Sequence, residues 1–509
     1  EQEIPNRHHW NQSLLLEVKG QLNGEALKQA VGALLRHHDA LRLRFRHGPA
    51  GWEQENHAEV EDVPFSHVDL TAASDAELSA AVEAKAAEMQ ASLNVEQGPL
   101  LRVAYFDAGP ERSGRLLFVI HHLAVDGVSW RVLLEDFQTA YAQISAGQPV
   151  QLPPKTTSFK YWAQRLENYA QSAEVREELA YWHALAERPA RPLPVDFPGG
   201  ENRERRAHTI GVALTEAETE ALLRDVPAAY RTEINDVLLA ALALAVGEWT
   251  GDTRVLVDLE GHGRADLFED VDLSRTVGWF TTVYPVMLDL AGAQGIGEQV
   301  KAVKEQLRAV PRRGIGYGLL RYLSEDPQVQ ARMRAVPQAG IAFNYLGQFD
   351  QLAAMGGSAD GAFGIAPEQR GPERDPGSLR YHLLEVNGGI MGGRLQMAWA
   401  YSANLHRRET VERVANAFVE ALRRIIRHAQ ESDTPAFTAS DFADFGWDAG
   451  DFAEILAELK DGMKEMADDL AEVRSDFAEM RSDFAEMRSD FAEMQDDFDE
   501  FLADMEEDF

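Results

Sequence analysis

The sequence predicts an α/β (α+β) protein with two lobes, followed by a long C-terminal helix. Over residues 1 to 430, apolar positions change repeatedly between helical spacing and the two-residue period of a strand. A Pro- and Gly-rich segment near residues 187 to 206 interrupts both periods. An unbroken heptad of apolar residues begins at residue 456. We therefore expect a first lobe over residues 1–195, a second lobe over 196–432, a linker over 433–455 and a helical tail over 456–509.

The first lobe alternates helices with strands. A helix is predicted by apolar residues at helical spacing, namely Leu27, Val31, Leu34 and Leu35, and a strand by the alternating residues Leu41, Leu43 and Phe45. The stretch from Arg115 to His121 is apolar on both faces, which is typical of a buried strand. The next helix has the apolar face Val128, Val132, Leu133, Phe137 and Ile144. His121 and His122 therefore lie at a strand-to-helix turn, from which side chains point into clefts.

The second lobe is predicted to open with the apolar helix INDVLLAALALAVGEW. The strand TRVLVDLEGHGR follows, and its alternation places Val255, Val257 and Leu259 on one face. Glu260 and Asp258 then point to the opposite face.

The tail repeats apolar residues in steps of four and three from Leu456 to Met505, and RSDFAEM occurs three times in succession from Arg474. Such a heptad indicates a coiled-coil seam, with Arg and Asp at flanking positions that allow pairing between parallel strands. Phe and Met at the seam favour an adaptable groove, and Gly462 is a candidate hinge. The alternative is a solvated acidic helix, since residues 441 to 509 contain 25 acidic and 5 basic residues.

Composition limits both the chemistry and the location. The 509 residues include no cysteine, which excludes disulfides, thiolate nucleophiles and iron–sulfur clusters. The formal charge of -35 opposes binding to nucleic acids and anionic membranes. The longest apolar run, Val237 to Val246, is half the length of a membrane helix, and the sequence does not begin with a signal-peptide pattern. We expect a cytoplasmic protein and, because residue 1 is Glu, a part of a longer chain.

Paired histidines occur three times, and their contexts differ. His37 and His38 close a helix, where the carbonyl end of the dipole favours imidazolium, so we expect structural roles for them. The pair at 121 and 122 follows a buried strand and precedes Asp126. Because adjacent strand residues face opposite ways, only one can line a given cavity. We assign that place to His122 as a neutral acid–base group and a hydrogen-bonded core position to His121.

The stretch HHLAVDGVSW resembles the HHxxxDG motif of the condensation and epimerization domains of nonribosomal peptide synthetases. Four further stretches resemble, in order, motifs of the epimerization branch: DLEGHGR from Asp258, SRTVGWFTTVYPV from Ser274, PRRGIGYGLL from Pro311 and FNYLGQFD from Phe343. Condensation domains share the histidine motif but usually lack a glutamate that matches Glu260. The resemblance covers residues 1 to 445, although the family's usual segment before NRHHWNQSLLLE is missing.

This resemblance implies a two-lobed chloramphenicol-acetyltransferase-like fold with a V-shaped cleft. It implies an isomerase that epimerizes an aminoacyl or peptidyl thioester on the phosphopantetheine arm of a peptidyl carrier domain, without a diffusible cofactor. It also implies a salt bridge from Asp126 that fixes the histidine loop. We expect Arg275 to be the partner of Asp126, with Gly127 as further support.

Inverting a carbon beside a thioester requires one group that removes a proton and another that returns one to the opposite face. His122 and Glu260, from different lobes, would lie on opposite sides of a threaded substrate. Burial that raises the proton affinity of Glu260 suits it as the acid. Candidate enolate donors and substrate contacts are Asn344, Tyr345, Trp130, Tyr317 and backbone amides near Gly127. For Tyr345 the alternative is a core aromatic with a satisfied hydroxyl.

Other motifs do not support different chemistry. Ser129 follows His122 at the start of a helix that would point its hydroxyl away from the imidazole, so it is a poor nucleophile. PRRGIGYG lacks the Lys-Ser ending of a phosphate loop, and no metal spacing such as HExxH occurs, so we expect no metal site.

Two rival functions remain. The first is a condensation enzyme that forms a peptide bond, in which the same histidine orients an amine; Glu260 and VGWFTTVYPV argue against it. The second is a catalytically inactive module whose tail is the working part; the intact His122 and Glu260 argue against it. For the tail, the resemblance implies docking to the downstream condensation domain of the next synthetase protein, with homo-oligomerisation through the coiled coil as an alternative.

Overall fold

The computed structural model describes residues 4–49, 51–58, 62–348, 363–432 and 436–445. In chain order its strands are β1 (Asn11–Val18), β2 (Leu43–Gly48), β3 (Gly51–Asn56), β4 (Phe65–Asp69), β5 (Leu101–Asp107), β6 (Gly114–His121), β7 (Ala207–Ala213), β8 (Arg254–Gly261), β9 (Thr282–Asp289), β10 (Ile341–Gln348), β11 (Phe363–Ile365), β12 (Leu384–Met391) and β13 (Arg394–Ser402). Its helices are α1 (Gly24–His37), α2 (Asp75–Gln90), α3 (Gly127–Ser145), α4 (Phe159–Tyr169), α5 (Ala173–Arg176), α6 (Leu179–Glu187), α7 (Glu216–Tyr230), α8 (Ile234–Thr250), α9 (Ile296–Arg308), α10 (Ile315–Gly318), α11 (Pro327–Arg334) and α12 (Arg408–Gln430). The predicted tail and residues 446–455 of the linker lie outside the described residues.

The first sheet has the strand order β11-β1-β6-β5-β4. Its central strand β6 is buried on both faces, as the sequence predicts. Leu116, Phe118 and Ile120 pack in the same core as α1 and α3, whereas Leu117 and Val119 pack with α2. Helices therefore cover both sides of this strand.

The second sheet has the order β7-β13-β12-β10-β8-β9, with β8 parallel to β10. The apolar helix α8 is buried from Val237 to Leu242 and packs against α9, α12 and β8. This explains why its sequence is apolar on all sides. On β8, the predicted face of Val255, Val257 and Leu259 is buried, while Glu260 reaches solvent.

Several predicted elements match the structure, and two differ from it. The strand predicted from Leu41 begins only at Leu43, because Leu41 lies in a 3₁₀ turn from Asp39 to Arg42. The helix predicted over Leu27 to Leu35 is α1, whose first turn is capped by the side chain of Asn23. The Pro- and Gly-rich segment has no helix or strand between Glu187 and Glu204. The second lobe was expected to open with α8, but β7 and α7 precede it. The sequence did not predict helix α7, because apolar and polar residues are mixed along its buried face and Pro227 lies within it.

The chain crosses between the two sheets. Strand β11, which follows the second-sheet strand β10 in sequence, pairs with β1, and Leu16 lies opposite Ile365. Residues up to Ala436 form one compact unit. The described part of the second unit, residues 437–445, contains a short 3₁₀ turn from Ala439 to Phe445. In the described part of the chain, no helix has both the length and the apolar character that a membrane span requires.

Candidate active site

His122 lies directly after β6, in a single 3₁₀ turn from His122 to Ala124. Its Nδ1 is 2.9 Å from the carbonyl oxygen of Val125, and its Nε2 is 3.1 Å from the side-chain nitrogen of Gln12. The ring also lies 4.4 Å, between centroids, from the indole of Trp279. Burial lowers the pKa of His122, and Arg374 lowers it further. The structure therefore holds this imidazole in its neutral form.

His121 faces the other way, into the core, and is 2% exposed. Its Nε2 bonds to the carbonyl oxygen of Arg7 at 3.0 Å, and its Nδ1 accepts the backbone N–H of Leu123. Burial lowers the pKa of His121 to about 4. Both ring nitrogens bind backbone groups, and the ring is almost fully buried, so His121 supports the loop and does not line the site.

Asp126 is the N-cap of α3 and anchors the histidine loop. Its carboxylate accepts the backbone N–H groups of Ser129, at 2.8 Å, and Phe280, at 3.0 Å. Arg264 binds the same carboxylate through two nitrogens, at 2.8 and 3.2 Å. The hydroxyl of Ser129 donates to the carbonyl of Gly278 at 2.9 Å, so this group supports the loop.

The expectation that Arg275 pairs with Asp126 is wrong. Arg275 bonds instead to Glu135 at 3.0 Å and Asp136 at 2.6 Å. These acids lie nine and ten residues beyond Asp126 on α3, roughly 14 Å along the axis, so Arg275 runs beside a later turn of the helix. The true partner, Arg264, follows a residue that must be glycine. Gly263 has φ +68°, and a Cβ there would lie 1.6 Å from the carbonyl oxygen of Phe280.

Glu260 lies at the end of β8, opposite Val283 of β9. Its carboxylate accepts a hydrogen bond of 2.7 Å from the side-chain amide of Asn344 on β10. Desolvation by the surrounding protein raises the pKa of Glu260, and Glu385 adds to this, whereas Arg374 opposes it. The side chain still reaches solvent, which limits the size of the shift.

Arg374 is a charged neighbour that lowers both the pKa of His122 and the pKa of Glu260. Its guanidinium bonds to Glu204 at 2.9 Å and to Glu385 at 3.3 Å. It also stacks over the ring of Trp10 at 4.6 Å. One fixed cation therefore influences both candidate acid–base residues, although they come from different sheets.

Of the other predicted substrate contacts, some lie beside the candidate acid–base residues and others pack in the core. Asn344 touches Glu260, so the next residue on β10, Tyr345, faces the opposite side and packs against the core. Tyr317 packs against the same core, accepts a hydrogen bond from Arg321 at 3.1 Å, and burial raises its pKa to about 12. The indole N–H of Trp130 donates to Gln12 at 2.9 Å. Gly127 is the exposed first residue of α3.

A condensation-domain family model matches residues 1–444. The chain belongs to the condensation-domain family. One of the linear gramicidin synthase proteins of Brevibacillus parabrevis is 47% identical over 464 residues, which is 91% of this chain and 6% of that protein. The chain spans 6% to 9% of the length of the first such relatives.

Solved structures of other condensation-family domains support the fold. The epimerization domain from the third module of tyrocidine synthetase B has a TM-score of 0.77 and 38% identity, over 83% of this chain and 92% of that one. The condensation domain of the Monacolin K polyketide synthase MokA has a TM-score of 0.63 at 16% identity, over 82% of this chain and 92% of that one. The predicted mixed α/β fold of the chloramphenicol-acetyltransferase type and the predicted relationship to peptide synthetases are therefore confirmed.

Gln12, Arg264 and Arg374 contribute to the site of this condensation-family domain, although no sequence pattern assigned them a role. Gln12 lies within the stretch NRHHWNQSLLLE, but it meets the imidazole only because β1 pairs with β6, which places Gln12 opposite Ile120, two residues before His122. Arg264 ends the quoted motif DLEGHGR. Arg374 lies in a loop, and neither period nor motif marks it.

Proposed function

We propose that the chain epimerizes the Cα of an aminoacyl or peptidyl thioester held on the phosphopantetheine arm of a peptidyl carrier domain. The observation that carries this proposal is the pair His122 and Glu260, two acid–base groups from different sheets whose side chains are held by Val125 and Asn344. The 38% identity to an epimerization domain of tyrocidine synthetase supports the same reaction. The reaction needs no diffusible cofactor, because only a proton moves.

In the proposed reaction, one group breaks the Cα–H bond and takes the proton, and the electron pair moves onto the thioester carbonyl to form an enolate. The other group then delivers a proton to the opposite face of Cα. A neutral imidazole at His122 is able to accept a proton, and the raised pKa of Glu260 favours a carboxyl that holds one. The Asn344 amide, which already donates to Glu260, keeps that carboxyl oriented. Which group acts first depends on the configuration of the substrate.

Condensation is the second candidate, because the family model covers condensation domains and the MokA condensation domain shares the fold. In that reaction His122 would orient an acceptor amine, and Glu260 would have no direct part. The hydrogen bond between Glu260 and Asn344 and the desolvation of this carboxyl favour epimerization over condensation. An inactive interaction module is the remaining alternative.

The test supplies the purified chain with an L-aminoacyl thioester on a phosphopantetheinylated carrier protein. Released amino acid is analysed by chiral chromatography, and a parallel reaction contains a second aminoacyl carrier as acceptor. Appearance of the D-enantiomer without dipeptide supports epimerization. Dipeptide without D-enantiomer indicates condensation, and neither product from either arm indicates an inactive module.

We propose that an upstream peptidyl carrier domain delivers the substrate and that the tail, residues 456–509, docks to the condensation domain of the next synthetase protein. We also propose that the boundary between the two lobes of the domain lies between residues 195 and 196. The heptad and the acidic charge of the tail support a helical, basic partner. Sedimentation of the full chain and of a chain that ends at residue 445, each with and without the downstream synthetase protein, tests this docking. Equal association of both forms would contradict it.

A further inference from the structure

Three hydrogen bonds form a line that runs from Trp130 through Gln12 and His122 to Val125. The indole Nε1 of Trp130 lies 2.9 Å from the Gln12 side-chain oxygen. The Gln12 side-chain nitrogen lies 3.1 Å from Nε2 of His122. At the other side of the ring, Nδ1 lies 2.9 Å from the carbonyl oxygen of Val125. The line therefore begins at helix α3, crosses strand β1 and ends in the turn after β6.

Chemistry fixes the direction of each bond. An indole nitrogen only donates, so the Gln12 atom that faces Trp130 must be the oxygen. The atom that faces His122 is then the amide nitrogen, which donates to Nε2. A carbonyl oxygen only accepts, so Nδ1 carries the hydrogen that binds Val125. The proton of the neutral ring is on Nδ1, and the lone pair is on Nε2.

We propose that Gln12 and Trp130 are positioning residues that fix the tautomer and orientation of His122 and keep Nε2 unprotonated. An imidazolium would point a second N–H at the Gln12 amide, and donor would meet donor. Rotation of that amide by 180° would remove this conflict. It would also turn the amide nitrogen toward the indole N–H of Trp130, so Trp130 blocks the rotation.

The charged groups around His122 do not supply this control by themselves. Arg374 opposes protonation of His122, while Asp126 favours it. Arg374 is already bound to Glu204 and Glu385. His121 packs on the opposite face of the strand end and is itself neutral. The ring of His122 also lies 4.4 Å, between centroids, from that of Trp279, which carries no charge.

The positioning role deepens the proposed function. The expected change in kcat/KM rests on that function, whereas the expected tautomer and pKa of His122 do not. Nitrogen NMR of histidine-labelled protein reports both tautomer and pKa, and the His122 signal is assigned by its loss in His122→Ala. We expect the Nδ1–H tautomer in the unmodified chain. Gln12→Glu places an anionic acceptor at Nε2 and should raise the pKa of His122 by about 1 to 3 units. Trp130→Phe frees the amide to rotate and should raise it by about 0.5 to 1 unit, the worth of one hydrogen bond.

The same variants should move the acid limb of the pH profile of kcat/KM upward by the same amounts, with little change in KM. The controls are Gln54→Glu and Trp52→Phe, the same substitutions at exposed positions of β3, where no shift is expected. Circular dichroism and thermal melting check that each variant is folded. Trp130→Phe keeps an aromatic ring in place and so serves as the test if Gln12→Glu fails to fold.

An unchanged His122 pKa in folded Trp130→Phe and Gln12→Glu, or an Nε2–H tautomer in the unmodified chain, would overturn the inference. Failure of the proposed function gives a different pattern. In that case the NMR shifts occur as expected, but the unmodified chain forms no D-product. If the chain is active and only the NMR shifts are missing, the positioning role is wrong and the reaction stands.

Discussion

Two histidine pairs stand at the ends of regular elements in this protein, and their partners differ. His38, at the end of α1, bonds at 2.9 Å to the buried carboxylate of Asp136, which also accepts a hydrogen bond from Arg275. His122, at the end of β6, faces a backbone carbonyl and the amide of Gln12. The first pair is tied into a network of charges, and the second has only neutral hydrogen-bond partners.

The same His-His dipeptide therefore has different properties in the two places, because its hydrogen-bond partners differ. In the first pair, the carboxylate of Asp136 occupies a ring nitrogen of His38. Neutral partners in a desolvated site leave the imidazole uncharged, so that it is able to take a proton. Among the described residues, His37, His38 and Asp136 also form the one grouping with spacing suited to a metal. Arg275 already lies 2.6 Å from that carboxylate, so the cluster is complete as an ion network.

The largest expected effect comes from removing the neutral histidine. We expect His122→Ala to slow D-product formation by about 10² to 10⁴-fold, the range for a lost acid–base group. The matched change in the other pair, His37→Ala, should leave the rate unchanged. Rates are measured with carrier-bound L-substrate and chiral analysis. Equal losses in both variants would remove the distinction between the pairs.

Each histidine pair lies near a carboxylate that binds an arginine: Asp126 binds Arg264, and Asp136 binds Arg275. Arg264→Met leaves the buried carboxylate of Asp126 without its cation, and we expect a loss of about 3 to 5 kcal/mol in the free energy of unfolding. Because Asp126 also holds the histidine loop through Ser129 and Phe280, turnover should fall as well. Urea unfolding at pH 7 and the chiral assay measure these two effects. Full stability of Arg264→Met would show that the backbone donors alone hold the loop.

Stability against acid sharpens the contrast within the second pair. Burial lowers the pKa of His121 to about 4, below the value of about 6.5 in an unfolded chain. Below pH 6.5 the unfolded state therefore binds a proton that the folded state refuses until about pH 4. His121 therefore contributes about 3 kcal/mol to the free energy of unfolding above pH 6.5, and this contribution is lost as the pH falls toward 4. Urea unfolding between pH 7 and 4.5 should show a shallower decline in His121→Leu than in the unmodified chain; parallel declines would contradict this reading.

The smallest effect is expected at the first pair. Arg275→Met removes a partner of Asp136, but His38 continues to bond to this carboxylate and Arg275 is 26% exposed. We expect a loss of about 1 to 2 kcal/mol in the free energy of unfolding and no change in turnover. Urea unfolding and the chiral assay are again the measurements. A loss of activity here would mean that the charge network reaches the His122 site.

Sequence periodicity predicted the elements whose apolar residues form a clear pattern, on one face or on both. Strand β6, helix α1 and the buried side of β8 all follow directly from spacing. Helix α7 did not, because Pro227 and a mixed face weaken its pattern. The pairing of β11 with β1 also escaped prediction, since contacts between distant segments leave no local period.

The site was predictable where a motif names the residue and unpredictable where a partner comes from elsewhere in the chain. His122, Glu260 and Asn344 lie in motifs that the resemblance identified. The choice of Arg275 for Asp126 was wrong, because sequence spacing does not tell which turn of α3 an arginine meets. Arg374 and the Gln12 amide were invisible for the same reason, since their roles depend on tertiary contacts.

Proton exchange at Cα tests whether His122 and Glu260 serve opposite faces of the substrate. Carrier-bound L-substrate is incubated in heavy water with His122→Ala and with Glu260→Gln, and both deuterium uptake at Cα and configuration are measured. If each group serves one face, both variants lose inversion, by about 10² to 10⁴-fold, while one of them still exchanges the L-proton. The variant without exchange lacks the base on that face. If Glu260→Gln inverts substrate at the unmodified rate, the carboxylate is structural and the two-sided account is wrong.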